Sequence, residues 1–439
     1  MTGENGGGAF VLIYIVSVLI IALPIMIAEV FIGRHGKQNP VASLKYVANE
    51  SSSFNFIEVD RSLNRVRSKK QSYSNYDDYS NWQLVGWAGI IAGILILSFY
   101  SVIAGWTISY VFKAATGVFN DISLEKSQSL FSDFIADPEK LLAWHTIFMI
   151  LTCYIVAQGV KGGLEKAVKF FIPALFILLV CLAVYSMTLP GFYDGISYMF
   201  VPDITRIDAQ VILSAMGMAF FSLSIGMGSL MIYGSYLSDE SSITEVTTIV
   251  AFADTFVAIL AGVIIFPMVF TYNLDPSNAG PGLIFQTLPI AFGSMPGGGI
   301  IATLFFILLF FAAITSSISL IEPAISYMVE KYSLTRAKAT VRMGLITWIL
   351  GLGTILSFNY FSEYTFFGMT FFNLIDNFTA KVMLPLGGLL MAIFVGFIVK
   401  RKIVQEELRL NAILFNTWRL IIRFIAPIAV TLIFINGLI

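Results

Sequence analysis

Ten stretches of this chain are apolar for long enough to cross a lipid bilayer, and that limits its fold more than any motif does. They lie near residues 9–33, 82–112, 141–160, 167–190, 209–236, 246–270, 298–329, 339–358, 377–399 and 411–436. A helix rises 1.5 Å per residue, so about 20 residues cover the ~30 Å hydrocarbon core. No water reaches the backbone there, and only helices or closed barrels satisfy every N–H and C=O. Barrel strands would be alternating segments of ~10 residues. The runs here are longer and unbroken, which predicts an all-α membrane protein. Composition agrees: 57% of the residues are hydrophobic and 12% charged, against roughly 25% charged in soluble domains.

Lysine and arginine collect in alternate loops, 34–81, 161–169, 330–342 and 400–409. That bias places those loops in the cytoplasm and both chain ends outside. A multi-pass protein of the plasma (cell inner) membrane follows, with the lipid bilayer as its surroundings and nothing suited to nucleic acid. Residues 1–8 would then lie outside, yet they carry no basic n-region and no cleavable signal. A preceding membrane helix resolves the conflict, so the chain reads as lacking one span. The net charge of −1 does not identify partners or oligomeric state.

Enzymatic chemistry finds no support. A Gly-rich phosphate loop, HExxH and a nucleophile elbow are all absent from the sequence. Cys153 and Cys181 sit in apolar runs and read as buried small hydrophobes, while His35 and His145 lack a second ligand at metal spacing.

Residues 220–229, Phe-Phe-Ser-Leu-Ser-Ile-Gly-Met-Gly-Ser, interrupt the fifth apolar run at its middle. Each glycine costs a helix about 1 kcal/mol relative to alanine, and the serines can bond backbone groups that an unwound turn releases. Two readings follow: a Gly/Ser face packed on a neighbouring helix, or a broken helix of the kind that binds ions and substrate in secondary transporters. Glu29, deep in the first run, is a functional candidate by default. It would accept hydrogen bonds from N–H groups freed by such a break; the alternative is a protonated or near-interface glutamate.

The stretch Asn5-Gly6-Gly7-Gly8-Ala9-Phe10, the Pro24-containing span and Gly33-Arg34-His35-Gly36 resemble the second transmembrane helix of the neurotransmitter:sodium symporters. Ala219 to Ser229 resembles the family's broken sixth helix, and Thr315 to Ser319 its eighth. The resemblance runs through the whole chain, which is therefore expected to be a single transmembrane domain over 1–439, N-terminally truncated. The implied fold is a LeuT-type inverted-repeat helix bundle, its ten spans matching family helices 2 to 11. The implied function is sodium-coupled symport of a neutral amino acid, hydrophobic or aromatic, by alternating access, with no covalent chemistry. The competing reading is a non-transporting family member or gene-model fragment without helix 1. An amino acid/polyamine antiporter is disfavoured, because it lacks the NGGGAF and TSSIS stretches.

On this resemblance the substrate pocket comprises Ile96, Tyr100, Phe221, Ser224, Met227, Ser316 and Leu320, with Trp106 on the same wall. Ile96 and Tyr100, four apart, share a helical face; alone, Tyr100 reads as a packed aromatic. Two sodium sites are implied, Ser222 with Asp254, and Ala312 with Thr315 and Ser316. Hydroxyl, carboxylate and carbonyl oxygens suit a small hard cation. Without the resemblance, Asp254 could pair with a buried hydroxyl or lysine, and the small polar residues on 312–316 could serve helix packing. Chloride is expected not to be required. Met218 and Ala258 stand where chloride-dependent members carry glutamine and serine, and Asp254 supplies a fixed negative charge nearby. Glu330 matches the inner gate and Asp376, read as opening its span, the outer gate; Lys381 either snorkels or pairs with Asp376. The cytoplasmic loop 37–81 is polar and long for the family. Its basic run Arg61–Lys70 reads as a solvated or lipid-headgroup face, or a regulatory site.

Overall fold

The computed structural model describes residues 2–62, 81–276 and 281–438, with side chains of 52–62 left aside. Among the described residues nine helices are long and apolar enough to span a membrane: α1 (Gly8–Gly36), α3 (Gln83–Ala115), α5 (Pro138–Ala157), α6 (Val160–Ser186), α10 (Ile243–Thr271), α12 (Gly298–Tyr332), α13 (Arg336–Ser357), α14 (Phe371–Ile398) and α16 (Ala412–Gly437). Between them lie α2 (Pro40–Ser62), α4 (Leu124–Ala136), α7 (Phe192–Phe200), α8 (Ala209–Ser222), α9 (Ser229–Tyr236), α11 (Leu283–Ser294) and α15 (Arg401–Leu408). The halves α8 and α9 together make the tenth crossing. The all-helical architecture agrees with the sequence, and nine of the ten apolar runs are long continuous helices among the described residues, the run at 209–236 being divided into α8 and α9.

Helix starts are set locally. Ser123, Asp137, Asp208, Ser242, Thr335, Thr370 and Asn411 each accept the backbone N–H three residues on. Such caps satisfy one of the orphan donors of a first turn. Capped by Thr370, α14 begins at Phe371, six residues before the apolar run was read to begin, because Asn373, Asp376 and Asn377 interrupt the apolar pattern of its first two turns. Asp376 therefore lies inside the helix instead of opening it.

Burial divides the helices into two groups. α1 and α3 are mostly enclosed, whereas α6, α10 and α16 are largely exposed; apolar exposure on that scale suits lipid contact. α3 packs along α12 and α5, α1 along α9 and α8, α10 along α7 and α6, and α14 along α16. One core cluster joins α1, α8, α9, α14 and α16, and another joins α3, α5, α12 and α13. The segment between α8 and α9 serves both, with Leu223 and Ile225 in the first and Met227 in the second.

Three loops are more structured than their polarity implied. Residues 40–62 form α2, whose Val41, Leu44, Val47 and Ala48 are buried beneath a polar exterior. The basic run Arg61–Lys70 falls outside the residues whose side chains are described. The external stretch 191–208 contains α7, packed on α10. In the external 271–297 stretch, α11 buries Phe285, Leu288 and Phe292.

Trp106 is also placed differently from its expected position on the substrate wall. It is fully enclosed by Phe131, Phe134, Phe285 and Phe358, in edge-to-face pairs 5.2–6.5 Å apart. Each such pair adds about 0.5–1.5 kcal/mol beyond area burial, so Trp106 ties α3 to α4 and α11. Cys181 is exposed and Cys153 half-buried, so neither is the buried hydrophobe expected.

Candidate functional site

The chain is unwound from Leu223 to Gly228. Ser224, Gly226 and Gly228 have φ of 56°, 83° and 75°, values that exclude α-helix and that only glycine adopts freely. A side chain at Gly226 would also meet the Leu384 carbonyl of α14, 2.7 Å from its Cβ. Glycine is thus required there by dihedral and by space.

Unwinding leaves backbone donors without partners, and one is met from α1. The fully buried Glu29 accepts the Gly226 N–H at 2.6 Å through Oε1, while Oε2 has no partner among the described residues. The start of α9 is fixed from α12: Ser229 Oγ donates to the Ser319 carbonyl at 3.0 Å, and Tyr233 and Ser319 hydroxyls meet at 2.8 Å. The break is therefore held from both sides at defined atoms.

A set of oxygens gathers at the C-terminal end of α8. Ser222 lies beside Asp254 of α10 and shares a 3.0 Å hydrogen bond with Tyr14 of α1. Asp254 Oδ2 and Thr255 Oγ1 are buried without hydrogen-bond partners among the described residues. A buried oxygen left unpaired costs about 1–3 kcal/mol, more if charged, so a cation would satisfy what the protein leaves open. Tyr14 and Thr255 were not anticipated; the aromatic Tyr14 gave no signal within an apolar run.

On α12, Thr315 Oγ1 donates to the carbonyls of Phe311 and Ala312 at 3.1 and 3.0 Å, and Ser316 is exposed. The Tyr100 hydroxyl of α3 lies against Ser316. Ile96, Met227 and Leu320 are buried in one cluster with Tyr100 packed against it. The structure thus gathers these four, with Ser316, around the break. Phe221 stays 38% exposed and Ser224 partly exposed, neither in that cluster. The remaining hydroxyls of the TSSIS stretch are structural: Ser317 bonds Thr152 of α5 at 2.9 Å, and Ser319 meets the Tyr233 hydroxyl of α9 at 2.8 Å.

The helix ends near the basic loops carry three polar networks. Glu330 accepts from Asn39 N and Nδ2 at 2.9 and 2.6 Å through Oε2 and from Ser326 at 2.9 Å through Oε1. About two turns back, fully buried Glu322 receives a two-pronged Arg336 guanidinium, with Nη1 at 2.9 Å from Oε1, and the Tyr236 hydroxyl at 2.5 Å. Arg336 also donates to the Val156 carbonyl at 2.8 Å. This network joins α9, α12, α13 and α5. Sequence reading missed it because Arg336 counted only as a loop cation, and nothing in one dimension pairs residues 236, 322 and 336. Nearby, buried Arg34 donates to Glu407 Oε1 and to its carbonyl, both at 2.6 Å, and to the Ser241 carbonyl. His35 bridges Glu50 at 2.6 Å and Glu407 at 3.4 Å. These contacts hold the Glu407 carboxyl down from its ordinary 4.5 to about 2. At the other end, half-buried Asp376 feels Lys381, which is exposed, without a direct ion pair among the described residues.

Residues 129–439 match the family model described as the sodium:neurotransmitter symporter family. A protein of Bacillus subtilis named an uncharacterized sodium-dependent transporter is 32% identical over 99% of this chain and 91% of its own length. One of the same description from Haemophilus influenzae is 33% identical over the whole of this chain and 92% of its own length. The crystal structure of MhsT in complex with L-phenylalanine superposes with a TM-score of 0.85 at 39% identity, covering 99% of this chain and 93% of that one.

Proposed function

From the membership of this chain in the sodium:neurotransmitter symporter family, we propose that it is a sodium-coupled symporter of a neutral, hydrophobic or aromatic amino acid. The observation that carries this reading is the unwound segment itself. It is pinned by Glu29 at Gly226, with unpaired oxygens of Asp254 and Thr255 on one side and Tyr100 with Ser316 on the other. Broken backbone at bilayer depth needs a protein or polar-cavity environment, and here protein supplies it, with Leu223, Ile225 and Met227 buried and the Gly226 N–H bonded by Glu29.

In this mechanism sodium is a co-transported substrate. Asp254, Ser222 and Thr255 supply hard oxygens for one ion. The Ala312 carbonyl and the Thr315 and Ser316 hydroxyls contribute to a second. Tyr100 donates to the amino acid carboxylate, and Ile96, Met227 and Leu320 enclose its side chain. That enclosure is apolar, so a charged side chain would be buried without a partner. Met227, an unbranched thioether, adapts to larger rings. Sodium drives the cycle only if it binds the occluded state more tightly than the open ones. Relatives named as sodium-dependent transporters and a structural neighbour crystallised with phenylalanine support the reading.

Competition binding tests it. The purified chain is expected to bind labelled leucine only in sodium, with phenylalanine, tyrosine and tryptophan displacing it and lysine and glutamate failing to. Better displacement by lysine or glutamate would sink the pocket assignment, and sodium-independent binding would sink the coupling.

A further inference from the structure

The hairpin formed by α14, α15 and α16 at its cytoplasmic end collects three arginines that form no ion pair with an acid among the described residues. Arg401 begins α15, and Arg419 and Arg423 stand one turn apart on α16. Arg401 Nη2 donates to Asn416 Oδ1 at 2.7 Å, and its guanidinium carbon lies 5.5 Å from the centre of the Phe415 ring. Arg419 approaches the same ring at 5.9 Å. Arg423 Nε donates to the Gly396 carbonyl at 2.5 Å, with its guanidinium 5.1 Å from the Phe397 ring. Arg419 Nη1 is buried with no hydrogen-bond partner among the described residues. Of the two acids on α15, Glu406 faces Lys402 at 3.9 Å and Glu407 faces Arg34 and His35.

Cations in a span normally face a partner, because an unpaired one costs several kcal/mol. Here like charges are brought together, and the rings and carbonyls that hold them offer no full negative charge. We propose that this cluster binds the phosphate headgroup of an anionic phospholipid in the cytoplasmic leaflet. Three observations select a lipid over a soluble anion. The loop belongs to the basic, cytoplasmic set, where anionic headgroups and basic pockets between helices meet. Arg423 is held by the Gly396 carbonyl, two residues before α14 ends at Ile398, so it stands where the span meets the loop, at the level of a lipid headgroup. The cluster is flanked by exposed Phe397, Ile398, Leu414, Leu420 and Phe424, which offer acyl chains an apolar surface. Guanidinium forks match a phosphate's oxygens two at a time.

The full chain, purified in detergent, is titrated with phosphatidylglycerol and with phosphatidylcholine and read by native mass spectrometry. Phosphatidylglycerol is expected to be retained in preference. Replacing both arginines of α16, R419Q with R423Q, should weaken its retention about tenfold or more, the scale of one lost charge-assisted hydrogen bond. R419K with R423K should fall between, since charge remains and the fork is lost. R401Q, on the exposed end of α15, provides a variant that leaves the span untouched and should weaken retention by itself. Equal retention of the two lipids by the unaltered chain would overturn the proposal, as would unchanged phosphatidylglycerol retention in R401Q and in whichever double variants fold. Displacement of phosphatidylglycerol by millimolar inorganic phosphate would show a soluble-anion site and overturn it also.

Discussion

Replacing Asp254 by asparagine removes one negative charge from an oxygen set whose other members, the hydroxyls of Ser222, Thr255 and Tyr14, are neutral. A carboxylate oxygen in contact with a hard cation sits about 2.4 Å away. At an effective dielectric constant of ~20 the pair is worth about 7 kcal/mol. Stripping water from a partly buried carboxylate takes back several kcal/mol of that. The net is about 2–4 kcal/mol, or a ~30- to 1000-fold loss of sodium affinity in Asp254→Asn. The assay is the sodium dependence of labelled leucine binding, in chloride and with chloride replaced by gluconate. The unaltered chain is expected to give the same curve in both. The Asn variant should need far more sodium in gluconate and recover part of the loss in chloride, which can then replace the missing negative charge. Strong chloride dependence of the unaltered chain, or an unmoved sodium curve in Asp254→Asn, would refute the account.

Tyr100→Phe removes the hydroxyl that lies against Ser316 and should weaken amino acid binding by roughly tenfold to hundredfold, with thermal unfolding unchanged; unaltered affinity returns Tyr100 to a packing role. Glu322→Gln breaks the buried two-pronged pair with Arg336, and unpairing a buried charge costs about 3–5 kcal/mol. Thermal unfolding should therefore drop sharply, whereas Glu322→Leu combined with Arg336→Met should lose much less; equal losses would show that packing, not charge, matters there. Glu407 is depressed to about 2 by hydrogen bonds from His35 and Arg34. Its folded value lies below its unfolded one, so its stabilisation is complete above the ordinary 4.5 and fades as pH falls toward 2. Unfolding temperatures of the native chain and Glu407→Gln should converge over that acid range and differ at neutral pH; a constant difference would refute the linkage.

The membrane fold was legible because it depends on properties that add along the chain. Length and continuity of apolar runs decide spanning, and lysine and arginine bias decides sidedness. The break between α8 and α9 was legible for a related reason: paired glycines among serines weaken a helix wherever it lies, and Ser224, Gly226 and Gly228 take the dihedrals that follow. Glu29 stood out because an acid in an apolar run needs an explanation, and its hydrogen bond to Gly226 supplies one.

What only the tertiary structure decided concerns partners distant in sequence and faces of a helix. Tyr14 meets Ser222 across 208 residues, and Arg34 meets Glu407 across 373; no local pattern encodes either encounter. Trp106 shares α3 with Tyr100 and was read as lining the same pocket, yet the helix turns it into a cage of phenylalanines. In an all-apolar span the usual distinction between inward polar and outward apolar residues disappears, since lipid and protein interior are both hydrocarbon-like. Sequence can therefore say that such a residue is in the membrane. Which neighbour it faces is settled only when the helices pack.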